Sequence, residues 1–278
     1  MQNSIEPINA DERIAALQAM IDRKGLELAF QPKFRSSGAL AGAEVLVRWP
    51  NAVAPWQQPE QFVRLAEQQR MSAALDLHVL SQAITQLKSL PEKTRAHVAP
   101  VSVNVSAVSV LEEGFIGSVK QVLASNQFPR LTLELTETAP LKCILRASKV
   151  FSSLARYGVS LSIDDFLHGH NDLEVLAGLP AREVKIDRKD VSSLHQRSTF
   201  QRVSAIITIA KQRNLLVTAE GVENHGQWSL LRSMGCDFCQ GFWLAPPMKI
   251  RELGSFVENY SAPDRNEALS DLRRLASL

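Results

Sequence analysis

Eight short runs rich in β-branched and aliphatic residues recur along this chain, and longer stretches with helical periodicity separate most of them. The runs occupy residues 26–34, 41–49, 98–106, 131–137, 159–166, 183–187, 215–221 and 239–245. GFIGSVKQVLASN, LKCILRASKVFSSLARYG and FQRVSAIITIAKQRN are three of the amphipathic stretches between them. Parallel strands need a crossover of about a dozen residues or more, and stretches of this length supply it. Alternation of this kind over 278 residues predicts an α/β fold, a TIM-like (β/α)8 barrel, because such barrels take roughly 250 residues. The first two runs break the pattern. At most RSSGALAG separates them, too little for a crossover helix, so they are expected to pair as a hairpin and give the barrel an irregular, antiparallel first strand.

No Pro/Gly/Ser linker divides the chain. Residues 1–25 read as an N-terminal helical extension: Asn9 and Glu12 have capping-box spacing, Ile14, Leu17 and Ile21 repeat at helical spacing over about residues 10–24, and Gly25 stops the pattern. Residues 26–250 form the barrel domain. Residues 251–278 form a C-terminal helical tail, in which Leu269, Leu272 and Leu275 share a face that docks on the barrel or meets another subunit.

A formal net charge of +2 with 22% charged and 45% hydrophobic residues is that of a soluble globular protein, without the basic excess that draws a nucleic-acid polymer. The opening MQNSIEPINADERI lacks the basic and apolar regions of a signal peptide, and no apolar run reaches the roughly 18 to 20 residues that span a bilayer. A cytoplasmic setting without a membrane span is the expectation. Cys143, Cys236 and Cys239 are an odd set that suits reduced thiols. The C-x-x-C leads into a strand instead of opening a helix after one, so it reads as structural, and a four-thiolate zinc site would need a second pair.

Polar residues recur near the C-terminal ends of the runs: Glu44, Asn104, Glu134, Asp164 with Asp165, Lys185, Glu220 and Gln240. Counting Asp164 for the aspartate pair, the gaps are 60, 30, 30, 21, 35 and 20 residues, one or two β/α units each. Parallel strands bring such residues to one rim, where barrel enzymes keep their chemistry. One strand-end carboxylate is ordinarily a helix cap or a partner for arginine. The five at Glu44, Glu134, Asp164, Asp165 and Glu220 repel one another unless cations join them. Oxygen-only ligation favours Mg²⁺ or Mn²⁺, with Ca²⁺ as a further option, over zinc or copper. The adjacent aspartates suit two ions about 3.5 to 4 Å apart, the arrangement that clamps a phosphodiester during in-line displacement. A barrel lysine such as Lys185 also leaves open a Schiff-base enzyme acting on a carbonyl.

FQPKF, GAEVLVRW, SVNVS, LELTE, IDDF, VKIDR, AEGVE and QGFWLAPP occur in this order, and through them residues 26–250 resemble the EAL-domain phosphodiesterases of bacterial cyclic di-GMP signalling. The signature tripeptide reads Glu44-Val45-Leu46, with Val in place of Ala. The resemblance implies two Mg²⁺ or Mn²⁺ ions, with Glu44, Asn104, Glu134 and Asp164 on one and Asp165 with shared ligands on the second. It implies that Glu220 ligates a metal or orients the attacking water, that Lys185 contacts that water, and that Gln240 holds the network in place. It assigns Gln31, Leu46 and Arg48 to substrate contact, with Arg48 suited to a phosphate oxygen. Asp187 and Glu223 match positions behind the lysine and the metals. The implied reaction is hydrolysis of cyclic di-GMP to linear pGpG.

The loop after the aspartates departs from the family's DDFGTGYSSL. Phe166, Gly169 and Leu173 are kept, but Leu167, His168, His170, Asn171 and Asp172 stand where the family has Gly, Thr, Tyr and two serines. If the glycine position needs a positive φ, a leucine there costs about 1 to 2 kcal/mol or reshapes the loop. Glu137 matches the glutamate that anchors this loop in the family. His168 and His170 read as exposed loop residues, with metal ligation as the alternative. A second function therefore stays open: a weakly active or non-catalytic barrel that binds cyclic di-GMP or a protein partner as a regulator. Control is expected from a homodimer, from a regulatory protein partner or from expression.

Overall fold

In the computed structural model, which describes residues 10–50, 52, 56–124, 130–136, 143–167 and 172–260, each of the eight runs contributes a strand. These are β1 (Glu27–Arg35), β2 (Leu40–Arg48), β3 (Val101–Ser106), β4 (Leu131–Thr136), β5 (Val159–Ile163), β6 (Glu183–Ile186), β7 (Leu216–Ala219) and β8 (Phe238–Cys239). They close into a barrel in sequence order, so the fold is the TIM-like α/β barrel the alternation predicts. β2 to β8 run parallel, while β1 is antiparallel to both neighbours, with Gln31 opposite Glu44 and Phe34 opposite Cys239. Length is the cause. Residues 36–39 return the chain at once, with Arg35 N–H donating to Ala39 O at 2.7 Å and Gly38 taking φ +88°, which a glycine adopts freely.

The helices are α1 (Ala10–Asp22), α2 (Pro59–Gln68), α3 (Ser72–Lys88), α4 (Glu92–Val98), α5 (Ala107–Val110), α6 (Phe115–Ala124), α7 (Ile144–Ala155), α8 (Asp172–Gly178), α9 (Arg188–Ser192), α10 (Arg197–Gln212), α11 (His225–Met234) and α12 (Ile250–Asn259). Side chains alternate across a strand, and the apolar set goes outward to these helices. Val101, Val103, Val105, Leu131, Leu133 and Leu161 pack with Leu80, Ile84 and Leu87 of α3 in one core. Val184, Ile186 and Val217 pack with Val203, Ile206 and Ile207 of α10 in a second. Each such side chain contributes about 1.5 to 3 kcal/mol when fully buried. The other set, Ser102, Asn104, Thr132, Glu134, Ser162, Glu183, Lys185 and Thr218, is left for the barrel interior, which is therefore polar.

α1 lays Leu17 and Ile21 into the first core and ends at Asp22, where Gly25 N–H closes back on Met20 O at 2.8 Å. Asn9 and the leucines at 269, 272 and 275 lie outside the described residues. The last run is a correction: 239–245 does not extend as a strand, and β8 stops at Cys239. Gly241 sits so close to Val222 that an added Cβ would meet its backbone nitrogen at 2.1 Å, and residues 241–244 turn away from the sheet. Cys236 and Cys239 are free and buried; burial pushes the Cys236 thiol far up and that of Cys239 to about 12, as suits a structural pair. Among the described residues no helix is long and apolar enough to cross a membrane.

Candidate active site

Lys185 is the centre of the barrel mouth. It lies on β6, pairs in register with Thr218 of β7, and is fully buried. Its Nζ lies 2.7 Å from Glu134 Oε2, 3.3 Å from Asp164 Oδ1 and 3.5 Å from Glu44 Oε2, and forms a closer ion pair with Glu220 Oε1. Strand ends deliver these groups. Glu134 lies on β4 opposite Asn104 of β3, Asp164 follows β5 with its N–H on Leu135 O, and Glu220 follows β7 with its N–H on Ile186 O. Asn104 donates its amide to Glu44 Oε1 at 3.0 Å, and the Gln240 amide donates to Glu44 Oε2. Glu44, Asn104, Glu134, Asp164, Lys185, Glu220 and Gln240 therefore meet in one network.

Four carboxylates against one ammonium leave a surplus of negative charge. Burial pushes Glu44 up, but Lys185, Gln240 and Asn104 outweigh it and hold the carboxyl below its usual range. Burial wins at Glu134, which rises to about 8 despite Lys185, with Glu44 and Asp164 adding to the rise. Asp164 is raised and Glu220 raised strongly for the same reasons. Desolvation disfavours the charged Lys185, yet Asp164, Glu134, Glu220 and Glu44 hold it well above its ordinary range. A Schiff-base lysine must present a neutral amine, so this environment argues against the carbonyl chemistry left open above.

Asp165 lies beside this network, its N–H on Asp164 Oδ1 at 3.2 Å and its φ at +46°. Burial raises its carboxyl to about 8, with Asp164 and then Asp187 adding to the rise. Asp187 also caps α9 by accepting the Lys189 N–H at 2.6 Å. Gln31 stands opposite Glu44, but its amide donates to Ala245 O at 3.1 Å. Leu46 and Arg48 are half-buried on β2; the Arg48 guanidinium donates to Val47 O at 2.9 Å, and burial lowers its pKa against the opposing pull of Glu44. Glu223 is exposed; its backbone N–H bonds Gln227 Oε1, and among the described residues no bond joins its carboxylate to the network. Glu137, His168, His170 and Asn171 lie outside the described residues. Leu167 is described, and it keeps the positive φ expected of the glycine it replaces, at +67°.

Two interior residues escape a reading based on strand ends. Lys33 of β1 places Nζ 3.1 and 3.2 Å from the two oxygens of Glu183, and Thr218 Oγ1 donates to Glu183 Oε1 at 2.8 Å. This pair floors the site, since Lys33 lies two residues along β1 from Gln31 and Glu183 two residues before Lys185. That same two-residue spacing was the signal that could have found it. Buried oxygen donors with surplus negative charge fit a hard divalent cation such as Mg²⁺ or Mn²⁺. Among the described residues no three of these carboxylates close around a common ion position, the centre being held by Lys185.

A family model described as the EAL domain matches residues 14–247. The chain is 33% identical over 252 residues to the bifunctional diguanylate cyclase/cyclic di-GMP phosphodiesterase MucR of Pseudomonas aeruginosa, covering 88% of this chain and 37% of that protein. It is 32% identical over 262 residues to the cyclic di-GMP phosphodiesterase NbdA of the same organism, covering 93% and 33% respectively. The solved PaMucR phosphodiesterase in complex with c-di-GMP superposes with a TM-score of 0.78 at 33% identity, over 86% of this chain and 98% of that one. The chain spans about a third of the length of the two curated relatives.

Proposed function

This chain belongs to the EAL-domain family, and we propose that it is a metal-dependent phosphodiesterase that hydrolyses cyclic di-GMP to linear pGpG. The observation that carries this reading is the convergence of Glu44, Glu134, Asp164 and Glu220 on Lys185 at the barrel mouth. Two Mg²⁺ or Mn²⁺ ions, held by Glu44, Asn104, Glu134, Asp164, Asp165 and Glu220, would supply Lewis-acid charge for the phosphoryl oxygens. The chain's own side chains do the rest. Lys185, ion-paired with Glu134, Asp164 and Glu220, would stabilise negative charge and contact the attacking water. Gln240 and Asn104 hold the two oxygens of Glu44 in fixed directions. Arg48 on β2 suits a phosphate oxygen, Leu46 two residues before it and Gln31 opposite Glu44 are the further substrate contacts, and Asp187 and Glu223 serve as outer supports.

The same reading places the barrel at 26–250, with a helical extension at 1–25 and a helical tail at 251–278, and gives the protein a cytoplasmic setting with control by self-association or a regulatory protein. The test is incubation with cyclic di-GMP and Mg²⁺, then Mn²⁺, with chromatographic separation of products. Metal-dependent pGpG that vanishes in Glu44→Ala is expected; folded protein inert at every metal concentration refutes the reading.

One observation favours a second reading, a barrel that binds cyclic di-GMP or a protein partner with little turnover. Leu167 holds φ +67° just after the aspartates, a conformation costing an L-residue about 1 to 2 kcal/mol. Nucleotide affinity without metal-dependent cleavage would select it.

A further inference from the structure

Two carboxyl groups that the chemistry above does not use meet on one residue of β3. Ser106 donates its N–H to Asp76 Oδ2 at 2.9 Å and its hydroxyl to Glu67 Oε1 at 2.8 Å. The same Oγ accepts the Val108 N–H at 3.2 Å and so caps α5. Glu67 comes from the last turn of α2 and Asp76 from the buried side of α3. Ser106 ends β3 two residues beyond Asn104, and the two are held in one ladder by the pairs Asn104 with Glu134 and Ser106 with Thr136.

Capping a four-residue helix does not require two carboxyl groups, one of them buried. A buried carboxylate is costly unless it is paired. The groups facing Asp76 are the Ser106 N–H from β3, the Ser109 hydroxyl from α5 and the carboxylate of Glu67 from α2. Burial pushes its carboxyl up to about 7, Glu67 adds to the rise, and Ser106 and Ser109 limit it. Asp76 thus changes charge across neutral pH while bonded to the end of the strand that carries Asn104.

We infer that Glu67 and Asp76 are positioning residues: they clamp Ser106, fix the mouth end of β3, and thereby aim the amide that Asn104 presents to Glu44. The inference rests on reading Asn104 as a metal ligand. A charged Asp76 accepts the Ser106 N–H more strongly than a neutral one, so the clamp tightens as pH rises.

The test is Mn²⁺ binding to the full chain without nucleotide, followed by electron paramagnetic resonance at pH 6 and pH 8.5. Ser106→Ala should weaken binding about tenfold at both pH values, the scale of losing a group that orients a ligand. Asp76→Asn keeps an acceptor oxygen but not the charge, so it should match wild type at pH 6 and fall about tenfold behind at pH 8.5. A residue that merely supported the fold would lower the melting temperature without this pH-dependent gap. Should Asp76→Asn fail to fold, Ser106→Ala carries the test for the Glu67 arm, with Ser106→Thr, which keeps the hydroxyl, expected to restore binding and a Thr variant as weak as the Ala variant overturning the clamp. Asn104→Ala is the control. If it binds Mn²⁺ like wild type, the metal reading fails and takes the clamp with it. If it loses binding while folded Ser106→Ala and Asp76→Asn do not, the clamp alone is overturned.

Discussion

Replacing Lys33 by methionine tests whether the floor of the site is as dry as its geometry requires. Lys33 and Glu183 face each other across the barrel with side chains 3% and 7% exposed, and among the described residues Thr218 is the other donor to the carboxylate. At 3.1 Å, two charges in an effective dielectric of 20 attract by about 5 kcal/mol. Desolvation of both groups offsets most of that, so the intact pair adds little net stability. Removing one partner is different: Lys33→Met leaves a carboxylate inside the barrel with one hydroxyl, at a cost of about 3 to 5 kcal/mol. For a chain of this size each kcal/mol lowers the melting temperature by about 2 °C, which gives a drop of about 6 to 10 °C. Circular dichroism melts of metal-free protein measure it. The double variant Lys33→Met/Glu183→Leu removes both charges and should return to within about 1.5 kcal/mol of wild type. A single variant as stable as wild type, or a double variant no better than the single, would show that water reaches this layer.

Three further outcomes follow from local geometry. Gly241→Ala places a Cβ 2.1 Å from Val222 N and 2.2 Å from Val222 O, contacts that backbone cannot relieve cheaply; a loss of about 1 to 3 kcal/mol and a fall in turnover are expected, since Gln240 precedes the displaced turn, and unchanged melting would contradict it. Leu167→Gly relieves about 1 to 2 kcal/mol of strain but incurs glycine's entropy cost of about 0.5 to 1 and loses some packing on the second core. Its stability should stay within about 1 kcal/mol of wild type, and a severalfold rise in turnover would identify this loop as a brake on activity. Thiol labelling at pH 8 should modify exposed Cys143 in the folded protein while Cys236 and Cys239, pushed up by burial, react only in urea; equal labelling of all three in the folded state refutes the assignment.

Glu44 and Lys185 are 141 residues apart, yet the reading that joined them needed no coordinates. Polar residues at the ends of parallel strands must share a rim once the sheet closes. The same logic was blind to Lys33, because β1 runs backwards and its inward residues do not lie at a strand's C-terminal end. It was blind to the Asp76 clamp as well, since a buried aspartate on an amphipathic helix looks like any polar residue on that helix. Nor did it foresee the turn at 241–244, which depends on how closely Gly241 approaches Val222 in the segment after β7.

Strand and helix periodicity, the short β1–β2 turn and the order of polar strand ends were legible locally, because side-chain alternation and chain reach act over a few residues at a time. Which carboxylates face which cation, and which backbone carries the strain at Leu167, was decided by closure of the barrel. Register and shear set those distances, and no stretch of chain contains that information by itself.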